Sequence, residues 1–131
     1  MKIEVAIGEV FDRITILNLK IKHISDPSRL DYIEAEKAML LKALEREKIQ
    51  IETYLYEPLF LINSKIWDTE AGFREKESKK QFDNEFIEFA RLNAKYNDER
   101  FIMKKTINEH YNSEIREQKS YDSLYEENNS D

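Results

Sequence analysis

Two glycines and two prolines in 131 residues leave this chain few places to reverse direction. A sheet of many short strands needs a turn former every few residues, whereas a handful of long helices needs only a few stops. The reading that follows is an all-α fold, an antiparallel bundle of about four long helices. Apolar residues at 40% and charged residues at 37% suit solvated helices around a modest core. The length makes one domain. It is expected over residues 1–121, followed over 122–131 by an acidic, disordered tail whose apolar residues are Leu124 and Tyr125.

Asp and Glu outnumber Lys and Arg 27 to 21, giving a net charge of −6. Nucleic-acid binding rests on phosphate neutralisation and normally shows a basic excess or stripe, so no nucleic-acid partner is expected. Cysteine is absent, which excludes disulfides, thiolate catalysis and Cys-based zinc sites. With His23 and His110 as the imidazoles, a multi-histidine metal centre is not expected either. No apolar run approaches the ~18 residues of a membrane span, so no membrane insertion is expected. Met1-Lys2-Ile3-Glu4 lacks the charged-then-apolar order of a signal peptide, and the expected location is cytoplasmic.

Residues 2–7 alternate, with Ile3, Val5 and Ile7 on one side. This is either one short strand, pairing with the same segment of a second subunit, or an extension of the first helix. The first helix is expected from about Gly8 to Ile24. Val10, Ile14, Leu17, Ile21 and Ile24 form its seam, while Phe11, Ile16 and Leu19 lie off it. Apolar residues on more than one face imply a helix that is surrounded or that lines an oligomer interface. Asp26 or Ser25 caps the second helix, and Pro27 suits its first turn. Leu30, Ile33, Leu40, Leu41, Leu44, Ile51 and Leu55 predict that it runs on to Glu57, where Pro58 ends or kinks it. The third helix carries Leu59, Ile62, Ile66 and Phe73, with Gly72 weakening its second half, and yields to a turn between Glu75 and Gln81. Asp83 or Asn84 then caps a fourth helix with Phe86, Phe89, Tyr96, Met103 and Ile107 inward.

The informative departure is polarity where the helical period asks for core. Asn93, Asn97 and Arg100 share the stripe of Phe86, Phe89 and Ile107, and burying them is costly unless each finds partners. The partners expected are acids on neighbouring helices: Glu9 and Asp12 on the first, Asp68 and Glu70 on the third. Two readings stand. One is a closed polar network that fixes helix register. The other is a pocket in which Arg100, with Arg13 or Arg74, meets a phosphate or carboxylate. Trp67 beside Asp68 can wall such a pocket against a sugar or base. His23 ends the first helix, where a cation complements the dipole. Glu9-x-x-Asp12 and Glu85-x-x-Glu88 put acids one turn apart, as a Mg²⁺ site on helices would, but the spacing is unspecific in so acidic a chain. No Gly-rich phosphate loop, Ser-His-Asp set or HExxH motif is present.

Together the polar residues make a recognisable set in three blocks. The first is Gly8-Glu9-Val10-Phe11-Asp12-Arg13-Ile14-Thr15-Ile16-Leu17, continuing to Lys20. The second is Asn63, Ile66-Trp67-Asp68, Glu70 and Arg74. The third is Phe89-Ala90-Arg91, Tyr96-Asn97-Asp98-Glu99-Arg100, Lys104, Ile107-Asn108, Glu117 and Lys119-Ser120-Tyr121. In these residues the chain resembles a family of short bacterial and phage proteins classed as a domain of unknown function, whose members occur near glycosyltransferase and surface-polysaccharide genes. It departs from that pattern at Asn112, where the family has Gly, at Ile66, where it has Leu, and at Thr106, where it has an acid. The resemblance implies a helical fold and a link to polysaccharide assembly, and carries no activity.

The leading expectation is a homo-oligomeric, non-catalytic accessory or binding module without a resident metal or cofactor. Its site is expected in Glu9, Asp12, Arg13, Lys20, Trp67, Asp68, Arg74, Asn97, Asp98 and Arg100, which would hold a partner or a small anionic ligand such as a sugar nucleotide. One alternative is a Mg²⁺-dependent hydrolase of nucleotides or sugar phosphates. Glu9, Asp12, Asp68 and Asp98 would then hold metal or shuttle protons, with the arginines on phosphate. The other is a structural oligomer without a ligand, for which the double-faced first helix argues.

Overall fold

The computed structural model describes residues 1–120 and Asp122. Within them the apolar seams fold as four helices, α1 (Ile7–His23), α2 (Pro27–Arg46), α3 (Thr53–Ser78) and α4 (Asn84–His110), and no strand. No helix among the described residues is long and apolar enough to cross a membrane. The tail expected over 122–131 lies, apart from Asp122, outside the described residues.

α1 is the axis of the bundle. It is in close contact with α2, α3 and α4, and α3 packs on α4, whereas α2 has α1 as its one close helix partner. Side-chain contacts set the directions. Gly8 meets Asn108 and Asp12 meets Arg100, so α1 runs antiparallel to α4. Asp12 meets Asn63 and His23 stacks on Trp67, so α1 and α3 run the same way. Phe11, Ile14, Leu17 and Leu19 are all buried, with Ile16 half-buried, so most of the apolar surface of α1 is covered inside one chain. The core gathers Phe11, Ile14, Leu44, Leu55, Leu59, Ile62 and Ile107. Full burial of each such side chain stabilises by roughly 1.5–3 kcal/mol.

The start of α1 is capped from the far end of the chain. Ala6, at the N-cap, has no side-chain oxygen, and the first N–H groups of a helix have no partner within it. Asn108 Oδ1 accepts from Gly8 N at 2.6 Å and Ser113 Oγ accepts from Ile7 N at 3.1 Å. The alternation over 2–7 therefore forms neither a strand in the single chain nor, before Ile7, a helix. This docking explains Gly8, because a Cβ there would lie 2.5 Å from the Lys104 carbonyl oxygen. At Gly72 a Cβ would lie 2.6 Å from the Phe89 ring, so that glycine lets α3 and α4 approach and does not interrupt α3.

The helix expected to reach Glu57 stops at Arg46. Ile49 N donates to Leu44 O and Lys48 N to Glu45 O, each at 2.9 Å, with Lys48 left-handed at φ 57°. This is the Schellman stop, whose usual occupant is glycine; a lysine gives no such signal. The same closure ends α3 at Lys80 (φ 55°) and α4 at Asn112 (φ 54°). Asn at position 112 is among the residues that tolerate this region best. Ile51 lies in the linker 47–52, not on a helical stripe. The Tyr111 hydroxyl pins that linker, donating to Gln50 O at 2.5 Å and accepting from Glu52 N at 3.2 Å. Pro58 falls in the second turn of α3 and does not end a helix. The bond it forfeits is to the carbonyl of Tyr54, an exposed residue with solvent at hand.

Candidate functional site

Asp12 stands on the face of α1 that meets α3 and α4, and is 1% exposed. A carboxylate there is tolerated only when its charge and lone pairs are matched. Arg100 on α4 meets it with a fork, Nε donating to Oδ1 at 2.9 Å and Nη2 to Oδ2 at 2.5 Å. Asn63 on α3 donates through Nδ2 to Asp12 Oδ1 at 2.8 Å and to Thr15 Oγ1 at 2.7 Å. The Thr15 hydroxyl donates back to the Asp12 carbonyl at 2.6 Å. Among the described residues no buried side-chain nitrogen or oxygen lacks a partner. The bonds and charge of Asp12 hold the Arg100 guanidinium above its ordinary pKa against the opposing effect of burial. Arg100 is thus a fixed cation in a fixed plane.

One turn along α4, Lys104 lies between Glu9 Oε2 at 2.8 Å and Glu117 Oε1 at 3.0 Å. Burial acts to lower its pKa, but the two carboxylates outweigh that and raise it. Glu117 belongs to the stretch 113–120, which follows α4 without helix and folds back along it. Ser113 fastens this strap to the start of α1. Lys119 fastens it again, paired with Asp98 and lying 5.5 Å over the Phe101 ring.

Two open cavities flank this arrangement. The first, about 660 Å³, lies between α4 and the strap, with Glu9, Asp98, Lys104 and Lys119 in its wall. The second, about 610 Å³, opens between α1, α3 and α4 and is walled by Ile16, Leu19, Asn63, Ile66, Trp67 and Ala71, with Glu70 and Arg74 beside them. Asn93, Asn97 and Arg100 line both. Each volume falls in the ~300–1,000 Å³ range of small-molecule sites. His23 does more than end α1: its ring stacks on Trp67 with centroids 4.8 Å apart and holds that wall in place.

The structure thus brings together Glu9, Asp12, Asn97, Asp98 and Arg100, and sets Trp67 and Arg74 in the adjoining cavity. Three expected members lie elsewhere. Arg13 pairs with Glu36 of α2, Nε to Oε2 at 2.6 Å and Nη2 to Oε1 at 3.0 Å, and that bond pulls Glu36 below its ordinary pKa. One residue is ~100° around a helix, so Arg13 turns toward α2 where Asp12 turns toward α4. Lys20, two turns on from Arg13, shares its face and adds to the field at Glu36. Asp68 is exposed and, like Arg13 and Lys20, lines neither cavity. The carboxylate arrangement that the Mg²⁺ alternative needs is not formed. Glu9, Asp12 and Asp98 each face a different cation, and no group of three metal-ligating side chains occurs among the described residues. Sequence reasoning left out Asn63, Asn93, Lys104, Glu117 and Lys119. Asn93 lies on the polar stripe, whereas the other four appear only among the residues of the family resemblance, with nothing in their spacing to place them at the site.

Comparison with curated proteins and with solved structures finds no match. A family model does match, along nearly the whole chain, and its span includes every residue that lines the two cavities. Matched over residues 1–129, the chain belongs to DUF6165, a family of unknown function.

Proposed function

We propose that this chain is a non-catalytic binding module whose ligand lies along Asn93, Asn97 and Arg100. The ligand is a small molecule with a ring or other apolar part for the Trp67 cavity and an anionic part for Arg100. The carrying observation is that these three residues line both cavities while Asp12 holds the guanidinium in place. A side chain already fixed loses little rotamer freedom on binding, which favours affinity. Ile16, Leu19, Ile66 and Trp67 give one wall a surface for a base or sugar ring, and the asparagine amides supply both donors and acceptors. In this reading the protein acts in the cytoplasm, in the polysaccharide-linked setting that the family resemblance implies, and sugar nucleotides are the first ligand class to test.

Trp67 is the single tryptophan of the chain, so its fluorescence reports on the second cavity alone. Wild type and the Asn97→Ala variant are titrated with sugar nucleotides and the parent nucleotides, with and without Mg²⁺. Thermal shift and Trp67 emission are followed together. At least one compound is expected to raise the wild-type Tm and change the emission, with affinity about 3- to 10-fold weaker in the variant, the effect of one lost hydrogen bond. The reading fails if no compound shifts the wild type more than it shifts the variant.

A further inference from the structure

α2 packs closely on α1 and on no other helix. Leu40 packs against the core, Leu44 is buried in it and Glu36 holds Arg13, so one face of α2 is committed to α1. Flanking that face, and all exposed, Ser28, Tyr32, Ala35, Met39, Lys42 and Arg46 recur at alternating spacings of four and three, the period of a coiled-coil seam. Tyr32 is 81% exposed and Met39 70%, although both are large and apolar enough to favour burial.

Charge divides along the same helix. From its cap to its middle, leaving aside Glu36, which Arg13 neutralises, it carries Asp26, Asp31 and Glu34 against Arg29, a net −2. From the middle onward Lys37, Lys42, Arg46 and Lys48 stand against Glu45 and Glu47, a net +2. The helix dipole does not account for the acidic half, since the first turn of α2 has no acid in it. Laid antiparallel on a second copy of itself, the helix puts acidic half on basic half twice over and encloses Tyr32 and Met39. Parallel pairing would set like charge on like. An antiparallel two-fold contact is also the self-complementary kind that closes at two subunits.

We infer that the outer face of α2 is a homodimer surface, two copies pairing antiparallel through Tyr32, Ala35 and Met39. This partner surface is independent of the cavities and stands or falls without them. It also relocates the oligomer expectation, because the faces of α1 that suggested it are mostly covered within the chain. α2 is ~30 Å long, and a contact along one helix is smaller than the ~800 Å² per partner of a standard interface, so the dimer depends on concentration.

The test is sedimentation equilibrium of the full chain over a concentration series, at low and high salt. The wild type is expected to dimerise, and less so at high salt. Met39→Glu is expected to weaken the dimer at least about tenfold with Tm unchanged, because Met39 touches little in the monomer. Two charge variants complete it: Lys42→Glu with Arg46→Glu makes both halves acidic, and Asp31→Lys with Glu34→Lys makes both basic. Each alone is expected to stay monomeric and the mixture to form heterodimers. A wild type that is monomeric throughout, a dimer that survives Met39→Glu, or charge variants that fail to pair when mixed would overturn the proposal.

Discussion

The two halves of α4 carry polar residues at core positions and use them in opposite ways. In the half that faces the start of α1, Arg100, Lys104 and Asn108 are each bonded across to that helix, at Asp12, Glu9 and Gly8. In the other half Asn93 and Asn97 line open space, and Asn97 bonds only to the Asn93 carbonyl of its own helix, at 2.8 Å. The difference lies in what α1 offers opposite. Asp12, Glu9 and the free N–H groups at its start can meet polar atoms, whereas Ile16 and Leu19 cannot. A polar residue on an apolar stripe is therefore architecture where the facing helix is polar and a candidate for ligand contact where it is not, with Arg100, bonded to Asp12 and lining both cavities, at the border.

The comparison breaks most sharply at Asp12. Asp12→Ala leaves the half-buried Arg100 without its acceptor and Asn63 with Thr15 alone, and is expected to destabilise by about 2–4 kcal/mol in urea unfolding. A loss below about 1 kcal/mol would mean that the closed half is not held by this pair. Gly8→Ala tests the same half through its backbone. Its Cβ meets the Lys104 carbonyl at 2.5 Å, and α1 must slide or tilt away at a cost of about 1–3 kcal/mol. Chemical shifts of Asn108 and Ser113 should move with it.

Much of this was legible in the sequence, and the residues say why the rest was not. Asp26 and Asp83 cap α2 and α4 through ordinary side-chain bonds to Ser28 N and Phe86 N, and both starts were read. The end of α2 was not, because Lys48 takes the left-handed position without looking like a glycine. That Arg100 needs an acid on a neighbouring helix follows from its place on an apolar stripe, but period does not choose Asp12 from Glu9, Asp68 and Glu70. Arg13 and Lys20 were misplaced because choosing a face to within 100° requires knowing which helix lies beside it. Lys104, Glu117 and Lys119 resemble any solvated charges until the strap folds back, and nothing local in 113–120 dictates that path.

The groove between α1 and α2 sharpens the contrast from outside, because its polar pair is half-exposed. Arg13 depresses the pKa of Glu36, so the pair stabilises fully above the ordinary carboxylate value of 4.5 and less as pH falls through and below it. Glu36→Gln is therefore expected to lower stability by about 0.2–1 kcal/mol at neutral pH, with the gap to wild type closing on acidification. A gap that widens in acid would reverse the assignment. Smallest of all is Asn97→Ala, whose lost bond is local to α4. Its Tm should stay within about 2 °C of wild type, so that any effect on binding belongs to the open half.

The most direct measurement is a set of ¹⁵N–¹H spectra of the side-chain amides and the Trp67 indole, recorded as a sugar nucleotide is titrated in. The open half predicts that Asn93, Asn97 and Trp67 Nε1 shift together in a saturable way while Asn108, bonded to Gly8 N and lining neither cavity, does not. Shifts at Asn108 as large as those at Asn97, or none at Asn93 and Asn97 with any compound that raises the Tm, would contradict it.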